Sequence, residues 1–293
     1  MNNVGTTGAE RPTVWIWLTA PMAVLVAVAA GGELLVEGLF RGDSVYLVAQ
    51  AVGQDVVTLA VALPALVAGS LLAARGSERA RVVWLGVLVY LVYTYVIYAF
   101  QVRFNPLFLV YVGLLGCSLY ALIGGLVTTR FEAVRSQFTT RTPIGPASSF
   151  LGAVAALFYL AWLSETLPAV ISGSVPQSVL ANGTPTGAVH VLDMAWILPA
   201  MLMTSLWLRR GRALGYVLAG VLLTFLTLLA AAIVAMTVAM WMYGQPVAVG
   251  MAVVFGAVST ASLGMLTRYL GSMEKGDSER GPARLHRTTR LPR

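Results

Sequence analysis

His190 and Asp193 stand three residues apart in the run HVLDMAWILPA, so on a helix they share one face. Imidazole titrates near neutrality, and with a carboxylate one turn on it is suited to carry a proton or to ligate a cation. Asp55 and Glu165 are the other ionisable groups within apolar runs. A charge at mid-membrane costs about 2.5–3.5 kcal/mol on insertion scales, so such residues face a cavity or a partner. Glu165 precedes Pro168 near the C-terminal end of its run, where the helix dipole disfavours an anion, and it therefore needs a proton, a cation or His190 nearby. Asp55 and Asp193 also suit first-turn positions, where a carboxylate gains roughly 0.3–1 kcal/mol from the dipole as a simple cap. The expectation is one cluster of Glu165, His190, Asp193 and Asp55 at a common depth, holding one exchangeable proton or cation.

A second set of polar groups lies on one helical stripe, with Tyr90, Thr94 and Tyr98 spaced four apart, and is expected to pack toward that cluster. Met236 and Met240 make an M-x-x-x-M pair whose thioethers, with His190, would offer a soft metal site, although methionines in apolar runs are far more often core or lipid packing. Cys117 is the only cysteine, which excludes an intramolecular disulfide and a cysteine metal cage. No phosphate-binding loop, dinucleotide fingerprint, nucleophile elbow or H-E-x-x-H is present, and no cofactor is named by any motif.

The elements that must position these residues are membrane helices. Of the 293 residues 58% are hydrophobic and 11% charged, against about 25% charged in soluble domains. Eight apolar runs approach or exceed the roughly 20 residues that cross a bilayer: 13–31, 51–74, 82–100, 107–129, 147–171, 190–211, 214–243 and 247–270. In the first, Ala27-Val28-Ala29 resembles a signal cleavage site, but the run is long for a signal peptide. Residues 32–50 read as an acidic loop with Glu33, Glu37 and Asp43 against Arg41.

The sequence repeats itself. LPALVAGSLLAARG from Leu63 aligns without gaps on LPAMLMTSLWLRRG from Leu198, an offset of 135 that places Asp55 on His190 and Thr58 on Asp193. Pro64 and Pro199, at matching positions, free the carbonyls of Ala60 and Ala195 and kink both helices. Freed carbonyls in a membrane need neighbours or water, which points to a lined cavity. The expected fold is all-α, a polytopic bundle of eight transmembrane helices built as two parallel four-helix repeats, 1–146 and 147–270, followed by a basic, disordered tail, 271–293.

Seventeen of the nineteen Lys and Arg fall on one side of this topology, which places both termini in the cytoplasm and the protein in the cell membrane. The net charge of +7 is thus accounted for without nucleic acid. The segments DVVTLAVALPAL, YLVYTYVIYAFQVRFNPLFLVYVGLLGCSLYAL and VHVLDMAWILPA together resemble those of a group of uncharacterised bacterial integral membrane proteins. That resemblance implies no activity and carries no site residue over. Repeats, kinks and intramembrane acids fit a small-solute or proton/ion-coupled permease whose partners are the bilayer and a small solute or ion. The alternatives are a membrane-embedded metal-dependent enzyme or metal-handling protein, and a sensor or assembly subunit. A homo-oligomer or a membrane partner protein fits any of these.

Overall fold

The computed structural model describes residues 14–36 and 38–274. The expected leader, Glu37 and the tail beyond Glu274 lie outside them. Among the described residues are eight helices long and apolar enough to span a membrane: α1 (Val14–Leu35), α2 (Val45–Ala74), α3 (Glu78–Gln101), α4 (Phe108–Val127), α5 (Ile144–Ser172), α6 (Ala188–Arg209), α7 (Ala213–Met242) and α8 (Val249–Gly271). The chain is a multi-pass, all-helical membrane protein. Its one β-type pairing among the described residues is an isolated bridge between Phe138 and Met273.

Two boundaries move from their expected places. α1 runs on past Gly31 and Gly32 to Leu35, so Glu33 lies within the helix and is buried. α2 begins at Val45, where Ser44 Oγ accepts the Leu47 N–H at 3.1 Å and caps the helix. Asp55 is therefore ten residues inside α2, and the simple first-turn cap reading does not hold for it.

α3 and α7 form the centre: 78% and 67% of their apolar windows are buried within the protein, against 22–39% for the other six helices. Without a hydrophobic drive between helices in lipid, such close association depends on small residues that let backbones meet. Gly86 of α3 meets α7, where a Cβ would stand 2.7 Å from the Val221 carbonyl oxygen. Gly53 brings α2 onto the backbone of α7 at Met236. In the first half α1 packs on α2 and α4, α2 on α3, and α3 on α4; in the second, α5 packs on α6 and α8, α6 on α7, and α7 on α8. Across the halves α2 packs closely on α7, whereas α6 meets α3 chiefly through its opening turns.

Both proline helices contain a π-helical turn, Thr58–Ala62 in α2 and Asp193–Ile197 in α6, separated by the same offset of 135 as the sequence match. The Leu63 N–H bonds the Thr58 carbonyl and the Leu198 N–H bonds the Asp193 carbonyl, five residues back. Widening the turn ahead of each proline relieves the clash between its ring and the preceding turn. The two helices end in the same way, at Gly76 and Gly211 with φ of +91° and +66°, conformations that glycine adopts without strain. α3 and α7 then start at Glu78 and Ala213, again 135 apart.

The two ends of the bundle differ. At one, the α5–α6 connection carries a short helix, Gln177–Asn182, whose Asn182 accepts from Gln50 at 3.0 Å and from Ser44 at 3.0 Å. Asp43 accepts the Arg103 backbone N–H at 3.1 Å; burial pushes its carboxyl above the usual range, against the lowering pull of Arg103. At the other end a short helix, Phe131–Arg135, packs on the start of α7, and Phe138 bridges Met273 just beyond α8. Phe138 touches the rings of Tyr216 and Tyr269, and the Arg79 guanidinium bonds the Met273 carbonyl.

Candidate functional site

Glu165 and His190 meet: His190 Nε2 lies 3.4 Å from Glu165 Oε2. The other Glu165 oxygen accepts the Ser178 backbone N–H at 2.9 Å, from the first turn of the short helix in the α5–α6 connection. Asp193 turns the other way, toward α3 and α5. Its Oδ1 accepts the Tyr93 hydroxyl at 3.0 Å and its Oδ2 the Trp162 indole N–H at 2.8 Å. Trp162 also stands edge-on to the His190 ring at 4.5 Å, so one aromatic side chain links the imidazole to the carboxylate. Three of the four expected residues thus come together.

Asp55 does not join them. Its partners all belong to the first half: Tyr98 donates to Asp55 Oδ1 at 3.1 Å, and the Glu33 carboxyl interacts with it directly. The reason is geometric. α2 lies against α7, while α6 reaches α3 only by its opening turns, so equivalent positions on α2 and α6 look into different helix pairs. Glu33, whose other oxygen accepts the Tyr111 hydroxyl at 2.6 Å, is the functional candidate that the sequence concealed. Asp55 stands 135 residues before His190, the offset of the sequence match, and each is joined by a glutamate from the preceding helix. That correspondence was the available signal for Glu33.

The stripe on α3 packs on the Asp55 side and not against Glu165, His190 and Asp193, because the single expected cluster is divided in two. Thr58 and Tyr90 hydroxyls lie 2.8 Å apart, Gln54 donates to Thr94 at 2.7 Å, and Tyr98 completes the ladder at Asp55. Tyr90, Thr94 and Tyr98 are all buried, and the ladder binds α2 to α3.

Between the halves lies a cavity of about 320 Å³, reaching from the rim at Tyr46, Asn182 and Pro246 down to Met201 and Phe225. It occupies the gap left because α6 does not close onto α3 below its opening turns. Its walls are mainly apolar, with Phe158, Phe255, Met236 and Met240; Asp193, Tyr93, Tyr98, Gln50, Gln54 and Gln101 are among its polar groups. Met236 and Met240 thus share one wall of this cavity, whereas His190 is turned to Glu165. Among the described residues no group of three or more His, Cys, Asp or Glu is placed to hold a metal ion.

Pro199 has a local consequence here. In the π-helical register its missing N–H would have served the Met194 carbonyl, not that of Ala195. Tyr159 supplies the replacement, donating to Met194 at 2.8 Å. The kink and the tyrosine stand directly behind Asp193, which lines the cavity.

No family model, curated protein or solved structure matches the chain.

Proposed function

We propose that the protein is a small-solute permease with alternating access, built as two four-helix repeats related by a pseudo-twofold axis along the membrane normal. The observation that carries the reading is the cavity between the halves, walled by the kinked α6 and bearing a carboxylate, Asp193, on an otherwise apolar surface. Such a surface suits a molecule with an apolar body and one cationic or hydrogen-bonding end: methionines adapt to varied shapes, and aromatic faces favour cations. The Glu165–His190 pair beside it joins a carboxylate to an imidazole and is suited to couple movement to a proton. The repeat is supported by the shared offset of the π-helical turns, prolines, glycine turns and helix starts, and by the matching helix pairs in the two halves. The gap between α6 and α3 is where closure would occur. The basic end of the bundle faces the cytoplasm in this reading, so the cavity opens outward.

Alternating access is tested without knowing the solute. In a Cys117→Ala background, Met201→Cys places one thiol at the cavity floor, and an impermeant thiol reagent is applied to each face of oriented vesicles. The permease predicts reaction from the outer face and, more slowly, from the cytoplasmic face. Reaction from the outer face alone, under every condition of pH and potential, would remove the permease reading and favour a fixed receptor or enzyme pocket.

A further inference from the structure

Glu33 and Asp55 take no part in the cavity. They are 7% and 2% exposed, they come from α1 and α2, and their side chains interact directly. Each has one oxygen held by a tyrosine hydroxyl, Tyr111 on Glu33 and Tyr98 on Asp55. Each also has one oxygen, Glu33 Oε2 and Asp55 Oδ2, with no hydrogen-bond partner. Two buried carboxylates side by side repel, and a buried acceptor left unpaired costs about 1–3 kcal/mol. One proton between the two orphan oxygens removes both penalties. The groups that face the pair are Tyr90, Tyr95 and Tyr98 of α3 and Tyr111 of α4, all neutral donors or rings. No Lys, Arg or His among the described residues forms an ion pair with either acid.

The pair is buried but not sealed. Glu33 lines a separate cleft of about 360 Å³ that is bounded by Val36, Phe40, Arg41, Val48, Val52 and Tyr243, at the same bundle end as the cavity rim. Arg41 is the cation of that cleft.

We propose that Glu33 and Asp55 form a proton-binding site, a carboxyl–carboxylate pair that holds one exchangeable proton between its two unpartnered oxygens and trades it with water through this cleft. On release, each carboxylate keeps one tyrosine hydroxyl as donor, so the unprotonated state retains one hydrogen bond per acid. On uptake, the shared proton replaces the repulsion by a hydrogen bond. The site is the first-half counterpart of Glu165–His190, in which imidazole takes the place of the second carboxyl. As the coupling site of a permease it rests on the function proposed above; as a proton site it does not.

The test reads protonation directly, so its outcome is independent of transport. Full-length protein in lipid nanodiscs is titrated while infrared difference spectra follow the carbonyl band of protonated carboxyl groups. The expected result is a band that persists well above the ordinary carboxyl range near pH 4, shifts on transfer to D₂O, and disappears in both Glu33→Gln and Asp55→Asn. Tyr111→Phe should keep the band and move its titration to higher pH, since it removes a donor to the unprotonated form. If the substituted acids prevent folding, the wild-type band together with the Tyr111→Phe displacement still decides the matter. Absence of the band in wild-type protein, its survival in both acid variants, or its collapse on adding sodium at constant pH would overturn the proposal, the last by making the pair a metal-cation site.

Discussion

Glu165 and Asp193 use the same side-chain chemistry for different ends. Glu165 is joined to a titratable partner, while Asp193 is held by two neutral donors on separate helices. Replacing Tyr93 by Phe should therefore cost about 1–3 kcal/mol through loss of a donor to a buried carboxylate. Trp162→Phe should cost a similar amount, and the double variant should depart from additivity because both bonds end on one residue. Urea or thermal unfolding in detergent would measure all three. Glu165→Gln and His190→Ala, in contrast, should abolish transport while leaving expression and chromatographic behaviour intact. Retained transport in both would remove the pair from the mechanism. At this scale His190, Asp193 and Glu165 were legible in the sequence, because an ionisable group in an apolar run has few stable surroundings. Glu33 was not. The glycines before it and the acids and Arg41 after it read as a loop, and only the packing of α1 on α2 and α4 shows that helix continues there.

For the elements, the sequence locates the kinks but not their form. Pro64 and Pro199 predict that one hydrogen bond is missing in each helix; they do not predict that the turn ahead widens to the π register. That outcome depends on what can occupy the space and satisfy the displaced carbonyl, as Tyr159 does for Met194. Pro199→Ala should let α6 relax toward regular α geometry, rotating Asp193 relative to Trp162 and narrowing the cavity. The rate at which a thiol at Met201→Cys reacts from the outer face should then fall while expression is unchanged; an unaltered rate would show that the proline has no part in shaping the cavity. The α2–α3 ladder should be less sensitive. Loss of the Gln54–Thr94 bond through Thr94→Val replaces one buried partner by a group of the same shape, yet leaves the Gln54 amide unpaired, which predicts a cost of about 1–3 kcal/mol without a change in cavity access.

For the whole molecule, the disposition of basic residues predicts the side on which each loop lies. In the Cys117→Ala background, exposed Ser174→Cys should react with an impermeant reagent on intact cells, and exposed Ser136→Cys should react only after lysis. The reverse pattern would invert the orientation. Gly86→Val should force α3 from α7 and cost about 1–3 kcal/mol by overpacking, seen as a lower thermal transition. The crossing at Gly86 has one more consequence. The contacts that join the halves are made by α2 and α3 with α6 and α7, and by the short helix Phe131–Arg135 against α7, all of them non-covalent. Covalent continuity is therefore dispensable to the assembly. Two polypeptides, 1–136 and 137–293, made together in one cell should find each other in the bilayer and copurify, and Gly86→Val should separate them more readily than it unfolds the uncut chain.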